Sequence, residues 1–205
     1  MYRMPILLTA LLLAVVPATA KDKKLPHPYA EALKSMVLLK HAQGHCTATA
    51  VRFDPPTYLT ASHCITEPLG TIDDRPVQLT MLAGELAVVR VPDGKARPVF
   101  ILGSRPAYGD PIAMDGFGGP YRIPFILEAR MIADNQPPHP EAEAPSMVFS
   151  AGAMAGMSGG PVLDADGKLI SILLCSGHYN ARDAYFACGS TYDETADLYR
   201  AATAR

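Results

Sequence analysis

The chain has 205 residues, enough for one large domain or two small ones with a sizeable buried core. Apolar residues make up 49% and charged residues 19%, which excludes a disordered chain. The formal net charge is −2 and no basic block occurs, so the composition argues against nucleic acid as a main partner.

The first twenty residues read as a targeting segment. Arg3 supplies a positive charge, Ile6 to Val16 is a short apolar run, and Pro17-Ala18-Thr19-Ala20 ends in an A-x-A site. That is the layout of a secretory signal peptide cleaved between Ala20 and Lys21. The apolar run falls well short of the roughly 20 residues a spanning helix needs, and no later segment reaches that length. The expectation is a secreted or periplasmic protein with no stable membrane insertion, and a monomer.

Export changes how the four cysteines, Cys46, Cys64, Cys175 and Cys188, are read. In an oxidising compartment an even number suggests disulfides, with three possible connectivities. The sequence-local choice pairs Cys46 with Cys64 and Cys175 with Cys188. The rival is a metal site built on His45, Cys46, His63 and Cys64; it lacks C-x-x-C or H-x-x-x-H spacing, and no metal or other cofactor is expected.

Residues 21–35 form an N-terminal segment, charged at Lys21 to Lys24 and with a short helix expected over Pro28 to Lys34. From Met36 onward the pattern is short β-rich runs between turns. In the first half these are Met36–Lys40, His45–Phe53, Thr57–Ala61, Val77–Leu82, Leu86–Val91 and Pro98–Leu102. In the second they are Pro111–Phe117, Phe125–Ala133, Ser146–Ala151, Pro161–Asp164, Lys168–Cys175 and Ala184–Gly189. Breakers such as Asp54-Pro55-Pro56, Pro92-Asp93-Gly94 and Gly118-Gly119-Pro120 separate them, in a chain with 16 Gly and 19 Pro. A closing helix is expected over Asp193 to Ala202. Twelve short strands predict an all-β protein of sandwiches or barrels. The divisions are 36–102 for the first half, 103–110 for a linker and 111–205 for the second half with its helix. Trp is absent, so the core must rest on Val, Ile, Leu, Ala and Met.

Two segments carry chemistry: Thr60-Ala61-Ser62-His63-Cys64 and Gly156-Met157-Ser158-Gly159-Gly160-Pro161. A serine hydroxyl is a weak nucleophile at its free pKa and needs a neutral imidazole to take its proton. The oxyanion that follows needs fixed N–H donors, and a Gly-rich turn lets backbone amides converge on one point. The second segment also satisfies G-x-S-x-G, the nucleophile elbow of α/β-hydrolases. That elbow requires a helix directly after the serine and the order serine, acid, histidine. Gly159-Gly160-Pro161 opposes a helix, and the one later histidine, His178, follows too soon.

These segments resemble those of the chymotrypsin/trypsin-like serine endopeptidases, in particular compact bacterial members. Thr60 to Cys64 is similar to the family's T-A-A-H-C, with Ser62 in place of Ala. Gly156 to Pro161 is similar to G-D-S-G-G-P, with Met157 in place of Asp. The resemblance spans roughly Met36 to Ala202 and implies two six-stranded antiparallel β-barrels with the active site between them. It implies His63 as the base, Ser158 as the nucleophile, and the N–H groups of Gly156 and Ser158 as the oxyanion hole. It also places Cys46 where the family has the disulfide partner of Cys64.

The triad acid of that family opens a strand, and the stretch here with the pattern is Glu85-Leu86-Ala87-Val88-Val89-Arg90-Val91, with Glu in place of Asp. Asp73, Asp74 and Asp93 are the alternatives, as is a site with no working acid. Met157 cannot pair with an ammonium, which implies activity without the activation switch that an Asp there serves. Family spacing places the pocket floor at Gly152, beside Ala153, with walls around Leu174, Cys175 and Ser176. No carboxylate lies there, so the resemblance implies a preference for apolar or small side chains over Lys or Arg. The expected partner is a protein or peptide substrate. A catalytically inactive protease-like binding module, and an esterase on the same fold, are the alternatives.

Overall fold

The computed structural model describes residues 27–136, 145–179 and 184–204. The expected signal peptide and its Ala20/Lys21 cleavage point lie outside the described residues. Among those described, no helix is long and apolar enough to cross a membrane. Helix α1 (His27–Ala32) and a 3-10 turn (Leu33–Ser35) lead into the first sheet, against an expected helix over Pro28 to Lys34.

That sheet has seven strands: β1 (Met36–His41), β2 (Gly44–Arg52), β3 (Thr57–Ala61), β4 (Thr71–Ile72), β5 (Arg75–Pro76), β6 (Gln78–Ala83) and β7 (Leu86–Arg90). Their spatial order is β5-β4-β1-β2-β3-β7-β6, with every neighbouring pair antiparallel. The second half is a closed six-stranded barrel of β8 (Pro111–Gly118), β9 (Ile123–Gln136), β10 (Ser146–Phe149), β11 (Pro161–Leu163), β12 (Leu169–Tyr179) and β13 (Ala184–Gly189). The fold is the trypsin-like arrangement of two β layers with a C-terminal helix, α2 (Tyr192–Thr203).

The first half departs from a closed six-stranded barrel in two places. Its edges, β5 and β6, do not pair: β5 is two exposed residues long, and Pro76 has no N–H to give a ladder. The expected strand over Pro98 to Leu102 forms no ladder either. Phe100 N–H donates to Ala50 (3.0 Å) while Leu169 N–H donates to Ile101 (2.9 Å), so the segment divides its hydrogen bonds between the two layers. Leu102 makes a single parallel bridge to Leu169.

Three apolar clusters hold this together. One fills the first sheet around Val37, Leu39, Tyr58, Ile72 and Val89. Another fills the barrel around Ile112, Met114, Met131, Met147, Met157 and Ile170. The third joins the layers through Leu59, Leu86 and Val88 on one side and Leu163, Leu169 and Ile172 on the other, sealed by Leu198 and Ala202 of α2. Strand β7 is buried on both faces, so it reads as a continuous apolar run. Helix α2 starts at a capping box: Glu194 N–H donates to Thr191 Oγ1, and Thr191 N–H donates to the Glu194 carboxylate.

One buried carboxyl interrupts this apolar interior. Asp115 on β8 is fully buried, and neither side-chain oxygen has a hydrogen-bond partner. Burial pushes its pKa from 3.8 up to about 8. The folded chain therefore holds a proton that the unfolded chain loses near pH 4. Stability should fall as pH rises from about 4 to 8, by up to about 1.4 kcal/mol per pH step. Asp115→Asn should be more stable than the parent at pH 7 to 8 and indistinguishable from it near pH 4, as read from urea midpoints. Parallel curves for the two proteins across that range would refute the assignment.

Candidate active site

Strand β3 ends at Ala61, and a 3-10 turn (Ser62–Cys64) carries His63 out to an exposed position while Cys64 stays buried. The Cys46–Cys64 disulfide, with Cα atoms 6.0 Å apart, fastens that turn to β2. The β3–β7 register sets Ala61 opposite Leu86, and one step further the Ser62 N–H donates to the Glu85 carbonyl (2.8 Å). The backbone of Glu85 thus lies beside the residue preceding His63. The Glu85 side chain is exposed and makes no hydrogen bond to another described residue.

The other candidate acids are paired or lie apart from the His63 turn. Asp73 and Asp74 form the β4–β5 turn with φ of 51° and 61°, the left-handed pair of a two-residue hairpin. Asp73 is paired with Arg97 (2.7 Å) and Asp74 with Lys40 (2.7 Å). The hydrogen bond and charge of Lys40 hold the Asp74 carboxyl below its ordinary range. Asp93 lies beyond the far end of β7, about 16 Å of strand from Glu85.

The turn between β10 and β11 brings Ser158 against the first sheet. Thr47 N–H of β2 donates to the Ser158 carbonyl (2.8 Å), and Thr49 Oγ1 donates to the Gly159 carbonyl (2.8 Å). The Sγ atom of Cys64 lies 3.9 Å from the same Ser158 carbonyl oxygen. His63 and Ser158 are therefore held on one seam by residues adjacent to each. The Ser158 hydroxyl lies 3.4 Å from the Leu174 carbonyl.

Two glycines make the close approach possible. Gly159 has φ +82°, and a Cβ there would overlap the Thr47 carbonyl and the Thr60 hydroxyl. Gly156 has φ +95°, and a Cβ there would overlap the His45 ring and lie 2.6 Å from the Phe117 carbonyl oxygen. The peptide planes around the serine are tied from behind. Gly119 N–H donates to Ala155 (2.9 Å), and Gly160 N–H donates to Met157 (2.9 Å). In a trans peptide the N–H points opposite the C=O, so the Gly156 and Ser158 N–H groups face away from those bonds. Among the described residues, neither N–H donates to a protein acceptor.

Met157, where the resembled motif carries Asp, is fully buried and packs inside the barrel with Met114, Met131 and Met147. Apolar packing anchors the turn from within. Three imidazoles gather near the seam. Burial, then the charges of His45 and His63, lower the pKa of His41. No group of three His, Cys, Asp or Glu among the described residues is placed to hold a metal. Cys46 and Cys64 are bonded to each other, so neither offers a thiolate to a metal.

A cavity of about 370 Å³ opens beside Ser158, lined by Ala153, Met154, Ala155, Leu173, Leu174, Cys175 and Ser176. Of the expected pocket residues, Ala153, Leu174, Cys175 and Ser176 line it. Gly152 sits behind them, with space for a Cβ limited by Tyr185 (3.0 Å) and Ser176 Oγ (3.3 Å). Met154 and Ala155 lie outside the expected pocket residues, because loop direction is not written in a motif. Register sets Cys175 opposite Cys188, and their disulfide closes one wall. A somewhat larger cavity, about 450 Å³ around Tyr29 and Glu128, does not contain Ser158, so size alone does not locate the site.

The model of the trypsin-like peptidase domain matches residues 46–172. No curated protein sequence matches the chain. Among solved structures, the chain is similar to the inactive form of Rv3671c from M. tuberculosis H37Rv, a serine-to-alanine mutant. The identity is 19%, coverage is 86% of this chain and 90% of that one, and the TM-score is 0.65. It is also similar to the HtrA-type protease AlgW with a decapeptide, at 15% identity, 85% and 66% coverage, and a TM-score of 0.66. At such identities the likeness concerns the fold.

The packing of Gly159 yields a direct test. Gly159→Ala must push the turn off Thr47 and Thr60, two fully buried residues. The variant should lose about 2–4 kcal/mol of stability, in the range of overpacking plus positive-φ strain. Urea unfolding measures this, and a loss under 0.5 kcal/mol would show that the seam is loose.

Proposed function

The chain belongs to the trypsin-like peptidase domain family, and on that premise we propose that it is an exported serine endopeptidase working through an acyl-enzyme. The observation that carries this reading is the shared seam. It brings the turns bearing His63 and Ser158 together, with two N–H groups beside the serine that donate to no described residue. Ser158 Oγ attacks the peptide carbonyl carbon, and His63 takes the hydroxyl proton. The Gly156 and Ser158 N–H groups stabilise the oxyanion. His63 then protonates the leaving amine, and water hydrolyses the ester by the same steps in reverse. The weak 3.4 Å contact to Leu174 leaves the Ser158 hydroxyl free to turn toward the imidazole.

Glu85 is the acid of this mechanism. The Ser62–Glu85 backbone bond supports the choice, since the other three carboxylates are paired or distant. Its carboxylate must swing from solvent onto the imidazole when substrate covers the cleft. A cavity lined by Ala153, Ala155, Leu173 and Leu174, with no carboxylate, supports small or apolar side chains on the acyl side. The two disulfides are compatible with a secreted or periplasmic location, reached by cleavage after Ala20. The exposed Glu85 side chain favours one competing reading, an inactive protease-like binding module. An esterase would use the same groups, and parallel peptide and ester assays separate the two.

A fluorophosphonate probe decides between enzyme and binding module. The chain should be labelled at Ser158, and Ser158→Ala should abolish both labelling and peptide hydrolysis with the fold intact. Full hydrolysis by Ser158→Ala would remove the assignment. Glu85→Gln should lower kcat by up to about 10⁴-fold, because an amide favours the wrong imidazole tautomer. Asp73→Asn, Asp74→Asn and Asp93→Asn should each change it less than about tenfold, under 1.4 kcal/mol. A collapse in one Asp variant with Glu85→Gln unaffected would move the acid.

A further inference from the structure

Thr47 stands at a junction that the mechanism above does not use. It is fully buried on β2, and four hydrogen bonds converge on it. Its N–H donates to Ser158 (2.8 Å), and its carbonyl accepts from the Thr60 hydroxyl (2.8 Å). Its own hydroxyl accepts from the Phe117 N–H (2.8 Å) and donates to the Gly156 carbonyl (3.0 Å). A hydroxyl has one proton to give, and here it goes to the peptide just after the Gly156 α-carbon. The peptide just before that carbon is held by Gly119 through Ala155. With both flanking planes held, and the His45 ring against the α-carbon, the φ of Gly156 cannot relax and its N–H direction is set.

We infer that Thr47 is a positioning residue whose hydroxyl, from the first sheet, aims the Gly156 N–H at the oxyanion in the second. This rests on the peptidase reading above. A backbone donor stabilises a developing charge only if it already points there, since turning it during the reaction forfeits the advantage. A glycine at positive φ has unusual freedom to turn. The Thr47 hydroxyl removes that freedom, and because it also ties Phe117 of β8, both layers share in the restraint. A buried threonine whose hydroxyl served only the sheet would satisfy acceptors on its own layer. Here both of its hydroxyl partners lie in the other one.

The test compares Thr47→Val, which keeps shape and removes the hydroxyl, with Thr47→Ser, which keeps the hydroxyl. Thr47→Val should lower kcat about 10- to 100-fold with KM within about threefold. Its affinity for a peptide aldehyde, which forms the oxyanion adduct, should fall in step with kcat/KM, and that for a product peptide should hold. Thr47→Ser should restore kcat to within about threefold. Thr47→Ala provides a second deletion of the hydroxyl if the valine variant does not fold. Unchanged aldehyde affinity in a folded hydroxyl-deleted variant overturns the inference while leaving the peptidase reading intact. So does misfolding of both such variants, because the hydroxyl would then serve the fold. A wild-type chain that neither labels with fluorophosphonate nor hydrolyses peptides overturns the peptidase reading, and this inference with it.

Discussion

The molecule depends on a backbone seam between β2 and the turn that carries Ser158. Three threonines line it, Thr47, Thr49 and Thr60, all fully buried. Their hydroxyls and the Thr47 N–H satisfy carbonyls of Gly156, Ser158, Gly159 and Thr47 that would otherwise be buried without partners. An unmet buried polar group costs on the order of 1–3 kcal/mol, so the seam tolerates little displacement. His63 follows Thr60 by three residues, and the Cys46–Cys64 disulfide ties its turn to the strand that bears Thr47 and Thr49. Shifting either layer would therefore separate the imidazole and the hydroxyl together.

The seam works because each layer is separately rigid. Four methionines, including Met157, fill the barrel beneath the turn that carries Ser158, where their unbranched side chains accommodate irregular space. Burial of Met157 replaces a polar anchor by packing, so the turn needs no charge partner to hold its shape. Asp115 stands apart from this logic, a carboxyl with no hydrogen bond in an apolar interior, and its burial makes the fold less stable as pH rises from about 4 to 8.

Much of this was legible in the chain. Apolar runs bounded by Pro, Gly and Asp located β1, β2, β3, β7, β8 and β11 to β13, since each depends on local burial and turn chemistry. The closing helix, expected over Asp193 to Ala202, forms over Tyr192–Thr203. The Pro98 to Leu102 segment has the composition of a strand, yet its hydrogen bonds are divided between two layers, and no composition records that division. The Asp73-Asp74 pair, a candidate for the acid, forms the β4–β5 turn and is paired there with Arg97 and Lys40.

By itself the sequence pointed to the family and singled out His63 and Ser158 as candidate residues. A histidine ending a buried strand, and a serine in a glycine turn that no helix can follow, leave few alternatives in a β-rich chain. Tertiary structure decided the rest. That the Glu85 backbone lies beside the residue preceding His63 follows from the β3–β7 register, a property of strand pairing between segments more than twenty residues apart. The seam arises because Thr47 and Gly156, separated by 109 positions, meet only when both layers close. Residue type can say that a hydroxyl will seek a partner; only packing says which carbonyl it finds.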